Sequence, residues 1–241
     1  GKMKMYLGGQ WVSRDSVQEV LNPFDGTIVD TVPKASTDDV ENSVESAAKG
    51  FAEMKKLTAF DRYTLLMKAV DLIEERKEDL AKTITLEEGK VISEGRLEVD
   101  RCIQTITTSA EEAKRLNSEV IPLDAAPGNA MKFGFTIRVP VGIVAAITPF
   151  NFPLNLVAHK IGPALAAGNA VIIKPASDTP LSALKLTEIM VDAGFPSEAI
   201  QCITGSGATI GDAIVANPGI RKVTFTGSQE VGEHICKIAG L

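Results

Sequence analysis

The chain has 241 residues, enough for a substantial core, and its 44% hydrophobic and 23% charged residues are typical of a soluble globular protein. Its 25 Lys and Arg residues against 31 Asp and Glu residues give a net charge of −6, which speaks against nucleic acid as a partner. No apolar run reaches membrane-spanning length, the start lacks the apolar core of a signal peptide, and three widely spaced cysteines fit reduced thiols, so we expect a cytoplasmic protein without membrane contacts.

The amino-terminal part of the chain is predicted to form a short β layer followed by helices. Ser36 and Asp39 form a capping-box pattern, and apolar residues at helical spacing follow it. The charged residues of this part are read most simply as solvated helix faces. The predicted elements are hairpin turns at 8–9 and 22–26 and helices at 36–54, 59–87 and 93–117.

Residues 119–138 are predicted to form a β-hairpin arm. Extended stretches at 120–123 and 132–139 flank a turn at 125–129. A hairpin of this length cannot bury both of its faces alone, and its edges would stay unpaired. We therefore expect the arm to pack against another subunit or domain.

The stretch from 139 to 177 is predicted to be a strand, a turn, a helix and a second strand. Residues 142–147 form a continuous apolar run, two prolines bracket Phe150-Asn151-Phe152, and the helix at 154–167 stops at a Gly-Asn pair. A second apolar run delivers Lys174 at its carboxyl end. Ligands bind at the carboxyl ends of parallel strands, so Asn151, Lys174 and the first amides of the helix are predicted to face a ligand.

The remainder of the chain continues this alternation of strands and helices. Four strands that alternate with helices indicate an α/β fold with a doubly wound parallel sheet of Rossmann type. The further predicted elements are helices at 180–193, 207–216 and 228–239 and strands at 199–203 and 222–226.

Two glycine-containing turns open helices directly after strands. The turn at 204–211 has the spacing G-x-G-x-x-x-G, one residue longer than the common dinucleotide fingerprint, and a second turn occupies 225–232. Helix amino termini of this kind favour phosphate groups. For the turn at 204–211, the alternative is that the glycines only permit tight packing between strand and helix; a second such turn on the next strand favours the cofactor.

Single polar residues admit two readings as well. Asn151 is either a turn residue or a side-chain amide that stabilises an oxyanion at a substrate carbonyl. His159 and His234 lack metal-ligand spacing, so we expect core or surface histidines and no metal site. The three cysteines, Cys102, Cys202 and Cys236, lie in apolar patterns and are expected to be buried and inert.

Three strings resemble one family when they are taken together. They are P-F-N-F-P at 149–153, K-P-A-S-D-T-P at 174–180 and F-T-G-S-Q-E-V-G at 225–232, and in this order and spacing they are similar to the NAD(P)-dependent aldehyde dehydrogenase superfamily. The resemblance extends over the whole chain. Within the superfamily, the chain looks most like the group of lactaldehyde, phosphonoacetaldehyde and succinate-semialdehyde dehydrogenases.

This resemblance implies oxidation of a small-molecule aldehyde to a carboxylic acid by the intact enzyme. In the family a cysteine thiolate attacks the aldehyde, an asparagine amide holds the oxyanion, and a glutamate activates water. Asn151 matches that asparagine, and Lys174 matches a lysine near the adenosine ribose. Phe152 and Leu156 would line the aldehyde tunnel. The implied cofactor-binding residues are Ile147, Thr148, Pro149, Phe150, Lys174, Ser177, Gly207, Gly211, Phe225, Thr226, Gly227, Ser228 and Val231.

Ser177 departs from the pattern of NAD-preferring members of the family. These often carry a glutamate three residues after the lysine, where it binds the ribose hydroxyls. A carboxylate would repel a 2′-phosphate, whereas a serine next to Lys174 can accept one. We therefore expect either NADP or NAD as cofactor, with NADP favoured.

The chain ends at Leu241, before the strings in which the family carries its glutamate and its cysteine. We expect a dinucleotide-binding domain at 1–118 and 139–241, an oligomerisation arm at 119–138, and no catalytic domain in this chain. By itself the chain is expected to be inactive, as part of a homodimeric or homotetrameric enzyme. The alternative is a non-catalytic fragment that binds a dinucleotide or a partner subunit.

Overall fold

A six-stranded sheet lies at the centre of the computed structural model, which describes residues 2–240. The strands of the chain are β1 (Met5–Leu7), β2 (Gln10–Val12), β3 (Val17–Leu21), β4 (Ile28–Pro33), β5 (Val120–Ile121), β6 (Gly134–Phe135), β7 (Ile143–Ile147), β8 (Ala170–Lys174), β9 (Ile200–Cys202) and β10 (Ile220–Phe225). The helices are α1 (Thr37–Met54), α2 (Ala59–Glu75), α3 (Lys77–Glu88), α4 (Ile92–Ala113), α5 (Asn155–Ala166), α6 (Leu181–Ala193), α7 (Asp212–Ala216) and α8 (Gln229–Ala239).

The core of the sheet is a parallel array in the order β10-β7-β8-β9. Every residue of β7 and β8 is buried, as expected for strands that are covered on both faces. α5 packs against β7 and β8, α6 packs against β9, and α2 and α4 lie outside these two helices. α1 packs against β7, β8 and β9 and contacts α7. These helical layers confirm the predicted α/β fold with its parallel sheet.

The amino-terminal hairpin extends this sheet, which the sequence did not predict. β1 lies antiparallel to β9, with Tyr6 opposite Cys202, and β2 forms the outer edge. The amide of Gly8 in the hairpin turn donates a 2.8 Å hydrogen bond to Oε1 of Gln201. β3 and β4 form the second predicted hairpin as a separate two-stranded sheet.

The single helix predicted at 59–87 is wrong, because the chain bends at Arg76. This residue has φ −97° and ψ 15° and separates α2 from α3. No glycine or proline marks the bend. Its cause is tertiary: both helices pack against α6, and the Arg76 guanidinium pairs with Asp192 on that helix at 2.6 Å. The next helix also ends earlier than predicted, at Ala113.

The arm at 119–138 is a hairpin with much less strand pairing than predicted. Only Val120 with Phe135 and Ile121 with Gly134 form strand pairs, and a 3₁₀ turn occupies Leu123–Ala125. Large apolar side chains along the arm and at residue 139 directly after it are exposed. These are Val120, Ile121, Leu123, Met131, Phe133, Phe135, Ile137 and Val139. Contiguous exposed apolar surface of this kind is typical of an interaction surface.

Within the described residues, no helix combines the length and the apolar character that crossing a membrane requires.

Candidate functional site

Three strand ends meet in one row at the carboxyl edge of the parallel sheet. Ile147 at the end of β7 lies opposite Lys174 on β8 and opposite Phe225 on β10. The row continues beyond the strands, because Thr148 N donates to Lys174 O at 3.3 Å and Thr226 N donates to Ile147 O at 3.2 Å. The structure therefore brings together five of the residues that sequence reasoning assigned to the cofactor.

Lys174 is the buried cation of this row. Lys174 is 5% exposed, and its Nζ donates a hydrogen bond to the carbonyl of Pro175 at 3.0 Å. Burial lowers the pKa of Lys174. An ammonium group has three N–H donors, so this side chain keeps donor capacity for a ligand.

The first glycine turn lies beside Lys174. Residues Gly207–Gly211 form one π-helical turn, which Ser206 caps by accepting a hydrogen bond from Thr209 N at 3.2 Å. A Cβ added at Gly211 would lie 3.8 Å from Cδ of Lys174, and one added at Gly207 would meet no atom within 4 Å. The backbone at Gly207 thus faces open space, as the approach of a ligand requires.

The second glycine turn is shaped by its own phenylalanine. A Cβ at Gly227 would lie 2.5 Å from Cζ of Phe225, and one at Gly232 would lie 3.3 Å from Cε1 of the same ring. Ser228 caps α8 by accepting from Val231 N at 3.4 Å. Gly227 thus packs closely against the Phe225 ring, while Thr226, Ser228 and Val231 are exposed around the turn.

Ser177 lies half-buried after β8 and is tied to neighbouring loops. Its hydroxyl donates to the carbonyl of Gly205 at 3.2 Å, and its own carbonyl accepts a hydrogen bond from Nε2 of Gln18. Since its hydrogen is engaged with Gly205, the serine offers a ligand its small size and neutrality rather than a free donor.

The loop between β7 and α5 carries the remaining predicted residues. Pro149 and Phe152 are half-buried, and Phe150 and Asn151 are exposed. Leu156, also half-buried, lies in the first turn of α5 and donates its amide to Phe152 O at 3.0 Å. The loop thus presents the Asn151 side chain at the surface, next to the row of strand ends.

The prediction that the first amides of α5 face a ligand is wrong. The amides of Leu154 and Asn155 both donate to Oε1 of Glu98, at 2.9 and 3.1 Å. This carboxylate comes from α4 and occupies the helix amino terminus that a phosphate would otherwise use.

Three buried charged residues of this region were missed from the sequence. Lys160 is 6% exposed and donates from Nζ to Oγ1 of Thr226 at 2.6 Å, and burial lowers its pKa. Glu87 and Glu98 are 2% and 1% exposed. A signal was present, because each falls on the apolar stripe of its helix: Glu98 shares a face with Cys102, four residues on.

The cysteines and histidines add no further chemistry to this site. Cys102 and Cys202 are buried, and burial raises the pKa of both thiols. Cys236 is exposed, so the prediction that it is buried is wrong: α8 buries only Ile235 among its own residues. His159 and His234 are exposed, and residues 2–240 contain no cluster of His, Cys, Asp or Glu that could hold a metal ion.

A groove lies beside this row rather than over it. It has a volume of about 970 Å³ and runs between α1, α2, α4, α5 and β10. Its basic wall residues are Lys55, Arg62, Lys114, Arg138, Lys160 and Lys222. Lys160 lines the groove and also contacts Thr226 in the row of strand ends. None of the predicted cofactor-binding residues lines the groove, so we take the strand ends as the candidate site.

Comparison with known proteins identifies relatives that match almost the whole of this chain. The 3-sulfolactaldehyde dehydrogenase of Priestia aryabhattai is 47% identical over 237 residues, which cover 98% of this chain and 49% of that protein. The lactaldehyde dehydrogenase of Methanocaldococcus jannaschii is 40% identical over 240 residues, covering 98% of this chain and 50% of that protein. The chain thus spans about half the length of the curated relatives that it matches.

A solved structure agrees with these sequence matches. The NADP-dependent glyceraldehyde-3-phosphate dehydrogenase from Bacillus halodurans, complexed with NADP, superimposes with a TM-score of 0.96 at 37% identity, covering 99% of this chain and 51% of that one. Residues 11–241 match the aldehyde dehydrogenase family. Because this match includes nearly every residue, the chain belongs to the aldehyde dehydrogenase family.

Proposed function

We propose that this chain is the dinucleotide-binding portion of an NAD(P)-dependent aldehyde dehydrogenase. The observation that carries the proposal is the row of Ile147, Lys174 and Phe225 at the carboxyl ends of three adjacent parallel strands. This is the edge at which open α/β sheets bind nucleotides. The chain spans about half of its relatives, which leaves the nucleophilic cysteine and the base to the other half.

The residues of the row fit a dinucleotide. The buried ammonium of Lys174 supplies donors for ribose hydroxyls, and the open backbone at Gly207 leaves room for an adenine ring beside Gly211. The exposed turn around Ser228 and Val231 offers the start of α8 to a pyrophosphate. When bound, the dinucleotide would accept a hydride from the substrate. The exposed Asn151 amide would donate a hydrogen bond to the oxygen on which negative charge develops.

We further propose that NADP is preferred over NAD. Ser177 places no carboxylate beside Lys174, so a 2′-phosphate would meet a cation without electrostatic repulsion from that position. Because the serine hydroxyl is already bonded to Gly205, this preference rests on its neutrality and size.

The substrate and the assembly follow from different features. Relatives that act on lactaldehyde, sulfolactaldehyde and glutarate semialdehyde suggest a short polar aldehyde for this chain. Phe152 and Leu156 would line its path, because both are half-buried, Phe152 follows Asn151 directly, and Leu156 bonds to the Phe152 carbonyl. The arm at 119–138 exposes a row of apolar side chains, which favours a homodimer or homotetramer joined through it. We propose that residues 1–118 and 139–241 form the dinucleotide-binding domain.

Titration of the purified chain with NADPH and NADH, followed by nucleotide fluorescence, tests this function. We expect binding of NADPH and a loss of affinity of about tenfold in Lys174→Met, the size of one lost charge-assisted hydrogen bond. Lys185→Met is the matched control, because this lysine lies on α6 and pairs with Asp79 at the surface. Absence of binding to both nucleotides, or equal losses in the two variants, would refute the proposal.

Two further measurements separate its parts. Ser177→Glu should weaken NADPH binding by about tenfold and leave NADH binding unchanged or tighter. An unchanged ratio would refute the NADP preference alone. The chain by itself should not oxidise aldehydes, and turnover would refute the assignment of the nucleophile to the other half.

A further inference from the structure

The Asn151 loop is held from outside the sheet by a buried ion pair of the amino-terminal helices. Glu98 Oε2 lies 2.8 Å from Nζ of Lys90, with side-chain exposures of 1% and 13%. Lys90 lies in the connection between α3 and α4, and Glu98 lies in the second turn of α4. Neither residue belongs to the row of strand ends.

Lys90 contacts two consecutive residues of the loop. Its Nζ donates to the backbone carbonyl of Asn151, and it lies 3.8 Å from the centroid of the Phe152 ring. The first contact is a charge-assisted hydrogen bond, and the second is a cation–π contact on a largely desolvated cation. One ammonium group thus fixes the backbone of Asn151 and the ring of Phe152 together.

Glu98 fixes the other end of the same loop. Its Oε1 accepts the amides of Leu154 and Asn155, where α5 begins without a side-chain cap of its own. The two oxygens of one carboxylate therefore divide their tasks: one caps α5, and the other orients Lys90. Residues 151–155 are tied at both ends to a single rigid point on α4.

We infer that Lys90 and Glu98 are positioning residues that set the direction of the Asn151 side chain and the place of the Phe152 ring. The inference rests on the proposed function, in which Asn151 stabilises an oxyanion and Phe152 lines the aldehyde path. Oxyanion stabilisation requires a donor that is held in place before reaction. A buried ion pair adds little net stability over apolar side chains, and in some proteins its role is to select one geometry. An exposed loop with an exposed Asn151 needs such an anchor.

A purely structural role makes a different prediction from a positioning role. If Glu98 were only a helix cap, removal of the Lys90 ammonium would leave the loop unchanged, because the α5 amides would keep their acceptor. Lys90→Met keeps the length of the side chain and the cap and removes only the cation. Glu98→Gln keeps an acceptor oxygen for the amides but turns a donor group towards Lys90.

Hydrogen exchange of the Leu156 amide, which donates to the Phe152 carbonyl of the loop at 3.0 Å, is the first test in the chain itself. We expect protection in Lys90→Met and Glu98→Gln to fall by about tenfold, the effect of one lost charge-assisted hydrogen bond. Lys90→Arg, which keeps a cation over Phe152, should recover most of it. Lys77→Met is the control, because it breaks another ion pair to α4, with Asp100, away from the loop. Unchanged exchange in Lys90→Met, or the same change in Lys77→Met, would overturn the inference.

The second test uses the enzyme assembled with the half that this chain does not span. There Lys90→Met should lower kcat by about tenfold to a hundredfold and leave the KM for the dinucleotide unchanged, because misplacement of about 1 Å costs this much. A parent enzyme without aldehyde oxidation would refute the proposed function, whereas the exchange result would still decide the positioning. Altered exchange with unaltered kcat would overturn the positioning role.

Discussion

Replacement of Glu87 by glutamine should remove a pH dependence of stability that one buried carboxyl group creates. Glu87 on α3 accepts the amides of Leu181 and Ser182 at 2.7 and 2.9 Å and so caps α6, which has no side-chain cap of its own. Burial raises the pKa of Glu87 from its ordinary value of 4.5 to about 7. The folded chain therefore holds this proton more tightly than the unfolded chain.

The sign and size of the effect follow from proton linkage. Between pH 4.5 and about 7 the folded state binds more protons at Glu87 than the unfolded state, so the free energy of unfolding falls as the pH rises through this range. The two pKa values differ by an amount that corresponds to roughly 3 kcal/mol. Below pH 4.5 this contribution is fully present, and above about pH 7 it is lost.

Glu87→Gln keeps one acceptor oxygen but leaves one of the two amides facing an NH₂ group. We expect a cost of about 1 kcal/mol at pH 5, the usual value of one hydrogen bond. At pH 8 the variant should be more stable than the parent by about 2 kcal/mol, because it buries no charge. The difference in stability between the two proteins thus changes sign with pH.

Urea unfolding followed by circular dichroism at pH 5, 6, 7 and 8 measures this difference. Glu74→Gln is the control, since Glu74 lies exposed on α2 and should give a profile parallel to that of the parent. Parallel profiles for Glu87→Gln and the parent would refute the reasoning, because they would mean that Glu87 ionises in the folded chain as readily as in the unfolded one.

Three more predictions use contacts elsewhere in the fold. Gly50→Ala should destabilise the chain by about 3 kcal/mol or more in urea unfolding, since its Cβ would lie 2.1 Å from the backbone of residues 198–199; stability near that of the parent would contradict this close packing. Gly207→Ala should leave stability within about 0.5 kcal/mol, because the site is open, but weaken NADPH binding in the same titration as above; unchanged binding would place the adenine elsewhere. A thiol reagent should label only Cys236 in the folded chain and all three cysteines in urea, and rapid labelling of a second thiol would contradict the burial of the other two.

The βαβ unit and the row of strand ends could be predicted because they depend on short stretches of sequence. The apolar runs of β7 and β8 are buried at every position, and a strand end is visible wherever such a run stops. The carboxyl ends of adjacent parallel strands must share an edge, so Lys174 and the residues after Ile147 were correctly expected to meet.

The elements that the sequence misassigned depend on partners far along the chain. Tyr6 pairs with Cys202, and no local pattern indicates that a hairpin near the start will extend a sheet built near the end. The bend at Arg76 follows from packing against α6 rather than from a helix-breaking residue. Cys236 fits an apolar pattern, but α8 buries only Ile235, and the neighbouring Cys236 stays exposed.

The burial of Glu87 and Glu98 was not predicted for a more general reason. Charged residues on helices are usually solvated, so Glu87 and Glu98 were predicted to be exposed. Their positions on the apolar stripes of their helices indicate burial instead. An acid on a core face must find a donor, because an unpaired buried carboxylate is too costly. Helix amino termini supply such donors, and α5 and α6 both start without caps of their own. An acidic residue on the apolar stripe of one helix is therefore a candidate to cap another helix that has no side-chain cap of its own.

The capping of α5 and α6 by Glu98 and Glu87 also links the part of the chain before the arm to the part after it. α3 and α4 come before the arm, yet their carboxylates complete the amino termini of α5 and α6, which follow the arm and flank β8. The Asn151 loop begins where β7 ends and is tied to Glu98 through Lys90. The amino-terminal helices thus do more than cover the sheet, since the geometry of the candidate site at its edge is set from α4.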